Sequence, residues 1–432
     1  MSKKKNIGEG RTDNLFGVLS DPETDWAFQR TLQYAYVGAA TNGECLYAAS
    51  RIDVRDGETW IREWSELGER VERQAQKSLD GRHKISARTG FLRASNYYRT
   101  AEYGTPPDHP LFHVLWRKSV DTFAKASALF NPPIQRVEIE FEGKKLPGYF
   151  WKPDNSDNSR PTLIVAGGND TSLEELVFLC GFDAVQRGYN FFAFEHHGHR
   201  GAVHLYKDFV KQANYETVYG VALDWLTQQP GVDDRIALTG FSFGGYVAAR
   251  VATYEKRIKA VIPSSPLIDL DTMTRAFWMA IPKWVPDRLI GWAFKRAMKK
   301  SPLRKALKEY SDWTTGLFGI VFTSIEEKLA VAKDWKIPLE DLATTECAVL
   351  GLVSDREGEE LLRQAHQYID TISSETKSLY VLSLEKDGSD DHCQLDNRIR
   401  ANQVMFDWLD EVFGHSIDPA ELGAVTESVL RL

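Results

Sequence analysis

No uninterrupted apolar stretch in these 432 residues approaches the ~20 that a membrane-spanning helix needs, so a transmembrane protein is not expected. Cysteine is scarce. Its four copies, Cys45, Cys180, Cys347 and Cys393, stand far apart without CxxC or Cys/His ligand spacing. That argues against a disulfide or zinc framework, and four reduced thiols in a cytoplasmic protein are the simpler expectation. Positive charge is not in excess: 53 Lys and Arg face 61 Asp and Glu, a net charge of -8. General affinity for nucleic acid phosphate or an anionic membrane is therefore not expected. Residues 1–14 are polar and basic with no apolar core, unlike a secretory signal. Internal repeats and long low-complexity segments are absent too. What the chain has in quantity is aromatic: 12 Trp, 16 Tyr and 22 Phe. That surface must pack somewhere, and part of it is expected to line an apolar substrate site.

Three textures follow one another along the chain. Trp26, Leu32 and Tyr36, then Trp60, Trp64 and Leu67, then Val114, Val120 and Phe123 recur at helical spacing. They predict a helical cap over 21–133, after a flexible N-terminus at 1–20. Asn131-Pro132-Pro133 closes it, because consecutive prolines cannot continue a helix. Val137, Ile139 and Phe141 then alternate with charged residues, Glu142-Gly143 supplies a turn, and 146–151 returns as the second strand of a hairpin. Short apolar runs at 162–166, 189–194, 235–239, 260–263, 347–353 and 378–382 alternate with helical segments. This is the pattern of an α/β fold, with a mostly parallel sheet covered by helices on both faces, over 134–414. Residues 415–432 are left as a tail. One interval, about 267–342, breaks the alternation. It is helix-like, contains nine Trp and Phe between Phe277 and Trp335, and reads as a lid above the sheet. Its basic amphipathic part, 284–300, is read as part of that lid rather than a membrane-surface helix, since the acidic whole would oppose anionic lipid.

The chemistry begins at Gly240-Phe-Ser242-Phe-Gly244-Gly245, a G-x-S-x-G placed between a strand and a helix. A serine on so sharp a turn takes strained backbone angles, and the residues two before and two after it crowd each other. Glycines remove that conflict. Ser242 then stands near a helix N-terminus, which favours developing negative charge. An oxyanion needs backbone N–H donors. Phe243 is one candidate, and Gly168 or Asn169 in the turn Gly167-Gly-Asn-Asp170 is the other. A serine hydroxyl also needs a base. His392 is the one histidine between the last strand and the final helix. The strand 347–353 runs into Ser354-Asp-Arg-Glu357, leaving Glu357 and Asp355 both open as the acid. The run Glu195-His196-His197-Gly-His199 lacks a metal-ligand spacing and is read as pocket-shaping, so neither a metal nor another cofactor is expected.

The order Ser, acid, His resembles α/β-hydrolases. More narrowly, the chain resembles a branch with an N-terminal helical cap. That branch holds 2,6-dihydroxypseudooxynicotine hydrolase, fungal pigment enzymes that shorten polyketides, and FrsA-like esterases. The similar segments are 88–98 in the cap, Gly167 to Asp170 with Glu174-Glu175, 224–245, 358–364, and His392-Cys-Gln394 with Asn397. The resemblance implies the α/β-hydrolase fold and a cofactor-free serine hydrolase, often a homodimer. Its small-molecule carbonyl substrate would be enclosed between sheet and cap and cleaved at an ester or a C–C bond. One departure is visible: relatives carry a Pro-Gly-Gln-Gly-like turn where this chain has the histidine run. Arg88, Arg93, Tyr97 and Tyr98 in the cap, and His197 in that run, are the expected substrate contacts. Two other outcomes share the fold: acyl transfer to an alcohol or amine, and a non-catalytic binding protein. The latter would be expected to have lost a triad member.

Overall fold

The computed structural model describes residues 15–279, 284–317, 319–320 and 324–417. A layer of five helices comes first: α1 (Pro22–Gln33), α2 (Asn42–Ala49), α3 (Gly57–Asp80), α4 (Lys84–Tyr103) and α5 (Phe112–Ser127). Side-chain caps start the first three. The Asp21 carboxylate accepts the Thr24 N–H at 3.0 Å, Thr41 accepts that of Glu44 at 3.4 Å, and Asp56 accepts that of Glu58 at 3.1 Å. Along α3 the buried residues Trp60, Ile61, Trp64, Leu67, Val71 and Ala75 form one stripe, and that stripe packs on α4. A Cβ on Gly90 would come within 2.7 Å of the Ala75 Cβ, so these two helices touch almost at their backbones.

A hairpin follows, β1 (Gln135–Phe141) and β2 (Lys144–Trp151), turned by Glu142 and Gly143 with φ of 48° and 72°. The rest alternates. β3 (Arg160–Ala166) leads to the short helices α6 (Leu173–Leu176) and α7 (Phe182–Gln186), joined by a π turn, and then to β4 (Asn190–Phe194). Next come α8 (Arg200–Leu205), α9 (Tyr215–Leu226), β5 (Val232–Phe241), α10 (Phe243–Tyr254) and β6 (Ala260–Ser264). The eight strands lie in the order β1-β2-β4-β3-β5-β6-β7-β8, where β7 is Ala348–Ser354 and β8 is Lys377–Leu382. Among the described strands only β1 with β2 and β2 with β4 pair antiparallel. β4 and β6 are buried along their whole length, as parallel strands covered on both faces must be. This is the mostly parallel, helix-covered sheet that the strand pattern predicts, in the α/β-hydrolase fold that the resemblance implies.

Between β6 and β7 the chain leaves the sheet through α11 (Leu270–Met279), α12 (Asp287–Met298), α13 (Pro302–Thr314), α14 (Ile325–Ala332) and α15 (Leu339–Leu342). α16 (Glu359–Thr371), α17 (Leu384–Asp387) and α18 (Arg398–Phe413) complete the helices of the described residues. Of the insertion's nine Trp and Phe, four have described side chains, and these four divide. Trp284 and Trp292 are 81% and 59% exposed, while Phe318 and Phe322 lie outside the described residues. Two others do pack inward. Trp335 rests 5.5 Å from the Phe243 ring, and Trp313 rests 4.8 Å from His204. All four cysteines are free thiols. Among the described residues no helix is long and apolar enough to cross a membrane.

Candidate functional site

Register aligns the strand ends that matter. Ala166 of β3 pairs with Gly240, Phe241 pairs with Ser264 of β6, and Ser264 pairs with Leu352 of β7. Loops leaving these strands therefore emerge side by side along one edge of the sheet. Ser242 sits between β5 and α10 with φ 56° and ψ -118°, a conformation rare for a residue with a side chain. The flanking glycines are sterically required. A Cβ on Gly240 would overlap the Gly244 carbonyl, and one on Gly244 would come within 2.6 Å of the Ala166 oxygen. The Ser242 N–H is fixed to the Ser264 carbonyl at 2.6 Å.

Two backbone segments face this serine. Phe243 opens α10, so its N–H has no partner within the helix. The Gly168 turn presses on the elbow: a Cβ there would lie 2.8 Å from the Phe241 oxygen and 3.2 Å from the Ser242 Cβ. The Gly168 N–H donates to the Thr171 hydroxyl at 3.3 Å, and Asn169 accepts a hydrogen bond from the Lys211 ammonium.

The acid candidates separate cleanly. Glu357 is buried and its Oε2 lies 2.8 Å from His392 Nδ1. The same carboxylate accepts the Ser265 hydroxyl, the Ser354 N–H at 2.9 Å and the Gln394 amide at 3.2 Å. Asp355 is exposed, and its N–H is spent on the Leu382 carbonyl. Facing a carboxylate, Nδ1 carries the proton, which leaves Nε2 as the basic nitrogen. Burial pushes the His392 pKa down, but electrostatic interaction with Cys393 and Glu357 outweighs it and holds the ring well above the ordinary histidine value. The loops of Ser242 and His392 share one anchor. Ser264 accepts the Ser242 N–H through its carbonyl and donates its hydroxyl to Gln394 at 2.9 Å.

The histidine run lies behind the Gly168 turn. His199 Nδ1 is 2.5 Å from Glu195 Oε2, and its ring fills the space that a Cβ on Gly167 would need. His197 packs at 4.4 Å on Phe209 and 5.3 Å on Phe141, and burial pushes its pKa down to about 4. The expected substrate contacts are therefore not gathered at the elbow. His197 belongs to this aromatic cluster. Arg88 lies 4.5 Å from the Phe130 ring, Arg93 pairs with Glu44 at 3.0 Å, and Tyr97 and Tyr98 bond Glu44 and Glu72. All four work within the helical layer. It is the C-terminal end of α4 that reaches the site. Tyr103 donates to Asp170 at 2.9 Å, Arg99 pairs with Glu175 at 2.9 Å, and Glu102 pairs with Arg200. Arg30 of α1 joins them with two bonds of 2.8 Å to Glu175 and a contact of 3.1 Å to Asp170. Ser265 and Lys211 went unseen in the sequence because neither belongs to a motif. Gln394 was visible only within the His-Cys-Gln resemblance.

The chain is similar to known proteins in sequence and in fold. A family model described as esterase FrsA-like matches residues 39–325. The alpha/beta hydrolase gkaG of Penicillium citrinum is 33% identical over 57% of this chain, a match spanning 60% of the length of gkaG. Hydrolase LUC6 of a Fusarium species is 29% identical over 90% of this chain and 96% of its own. In fold, the chain is similar to the crystal structure of 2,6-dihydroxy-pseudo-oxynicotine hydrolase. The TM-score is 0.68 at 20% identity, covering 90% of this chain and 97% of that one. The chain belongs to the FrsA-like esterase family and is an α/β-hydrolase enzyme.

Proposed function

We propose that the enzyme hydrolyses a bulky apolar or aromatic carbonyl compound through a serine-bound acyl intermediate. The observation that carries this reading is the Glu357–His392 pair, 2.8 Å apart, on the same sheet edge as a serine held in a strained elbow. His392 Nε2 removes the Ser242 proton as the hydroxyl attacks the carbonyl. Glu357 keeps the ring in the right tautomer and stabilises the imidazolium. The oxyanion is received by the Phe243 N–H and the Gly168–Asn169 turn. His392 then protonates the leaving group, and water, activated by the same ring, releases the acid. An ester leaves as an alcohol. A β-diketone leaves one carbonyl on the serine as the acyl group and loses the other half as an enolate stabilised by the second carbonyl, so the same groups serve C–C cleavage.

The rings of Phe243 and Trp335, 5.5 Å apart beside the elbow, support an apolar substrate. The relatives gkaG and LUC6 are named as hydrolases, which supports water over another acceptor. The test is labelling by a fluorophosphonate together with turnover on aryl esters and β-diketones. Ser242→Ala should abolish both. Residual turnover at the wild-type level in that variant would rule the scheme out.

A further inference from the structure

Resting on the serine-hydrolase reading, we infer that Lys211 is the subsite for a substrate anion. Its ammonium stands beside the oxyanion turn to receive a carboxylate or enolate oxygen carried close to the scissile carbonyl. Position comes first. Lys211 Nζ bonds Asn169 Oδ1 and lies 5.0 Å from the Phe243 ring centroid, so it touches both segments proposed to hold the oxyanion. Its third partner is the Thr314 hydroxyl of α13, at 3.2 Å. The residue is held there by its backbone. Its N–H donates to the Thr314 carbonyl at 3.0 Å, and Gly198, at φ +64°, is pressed so closely against it that a Cβ would meet the Lys211 backbone.

Charge makes the second argument. Lys211 is half-buried, yet its partners are an amide oxygen, a hydroxyl and a ring face, all neutral. A cation removed from water normally has a carboxylate beside it. The acid that acts on it electrostatically, Asp170, is itself engaged by Arg30 and Tyr103. Among the other titratable groups nearby, His196 is held neutral by burial, with its pKa well below the ordinary value. Desolvation lowers the Lys211 pKa to about 7 against the upward pull of Asp170. An arriving anion would hold the ammonium protonated and supply a counter-charge in direct contact with it, which Asp170 does not.

The experiment uses matched aryl esters. In one pair a carboxylate near the ester carbonyl is compared with its methyl ester. In the other an ionised enol is compared with its O-methyl ether. The readout is the ratio of kcat/KM for the anionic over the neutral member, in the full chain and in Lys211→Met and Lys211→Arg. Losing a charge-assisted hydrogen bond should lower that ratio ~10- to 100-fold in Lys211→Met, with Lys211→Arg recovering much of it. The pair that responds identifies the anion as carboxylate or enolate. An unchanged ratio, or a wild-type enzyme indifferent to the anion, overturns the inference. Fluorophosphonate labelling of Ser242 keeps the two readings apart, since its failure in the wild-type protein counts against the serine mechanism instead.

Discussion

Four donors converge on the Glu357 carboxylate and none of them serves Asp355, although a single residue separates the acids. Glu357→Gln should keep the shape while removing the charge that orients His392. We expect kcat to fall ~10²- to 10⁴-fold, with Asp355→Asn staying within about threefold of wild type. The pH profile carries a sign. His392 must be neutral to accept a proton, and its pKa is held above the ordinary value, so kcat/KM should climb with pH through a limb above ~6.5. In Glu357→Gln one of the two upward pulls on the ring, beside that of Cys393, is lost and the limb moves to lower pH. A limb moving upward would show that Glu357 does not supply the field. Sequence left the two acids open because both stand within a few residues of a strand end. What separates them are Ser265 and Gln394, brought in from two distant segments, together with the Ser354 N–H of the strand end itself. Lys211 was hidden for the same reason, since its partners are at 169, 243 and 314.

Helix existence was legible and helix orientation was not. Apolar spacing located α1, α3 and α5, but α4 is buried on nearly all sides, so its periodicity could not say which end meets the sheet. The similar segment at 88–98 drew attention to the wrong half. The end at 99–103 carries the contacts to Asp170, Glu175 and Arg200. Here Arg30 and Glu175 are 4% and 1% exposed, and the carboxylate also receives Tyr34 at 2.5 Å. Burial raises the Glu175 pKa, but Arg30 and Arg99 outweigh it and leave the group below its ordinary range. A depressed carboxylate stabilises the fold above its unfolded pKa of ~4.3 and loses that contribution as pH falls through the folded value. Arg30→Ala leaves a buried charge half-compensated and should cost about 3–5 kcal/mol, read as a lowered denaturation midpoint. A loss under ~1 kcal/mol would mean that solvent reaches Glu175 freely.

At the scale of the molecule, the sheet was the most readable part. Parallel strands buried on both faces appear as continuous apolar runs, and each run at 162–166, 235–239 and 260–263 falls inside an observed strand. The position of the insertion was readable too, as a break in the alternation. Its packing was not, because Trp313 and Trp335 turn inward while Trp284 and Trp292 face water, and composition alone does not distinguish them. A chain beginning at residue 134 would keep all eight strands. It would strip Glu175 of Arg30, Arg99 and Tyr34, and Asp170 of Arg30 and Tyr103. Such a fragment should not give folded protein in which Ser242 reacts with a phosphonate, and recovery of a reactive fragment would contradict the argument. The same ion-pair cluster limits cassette exchange between relatives. A transplanted helical layer would have to bring its own arginines to the Asp170–Glu175 turn, so new substrate ranges are more readily sought in the α11–α15 insertion than by swapping the helices that hold the turn in place.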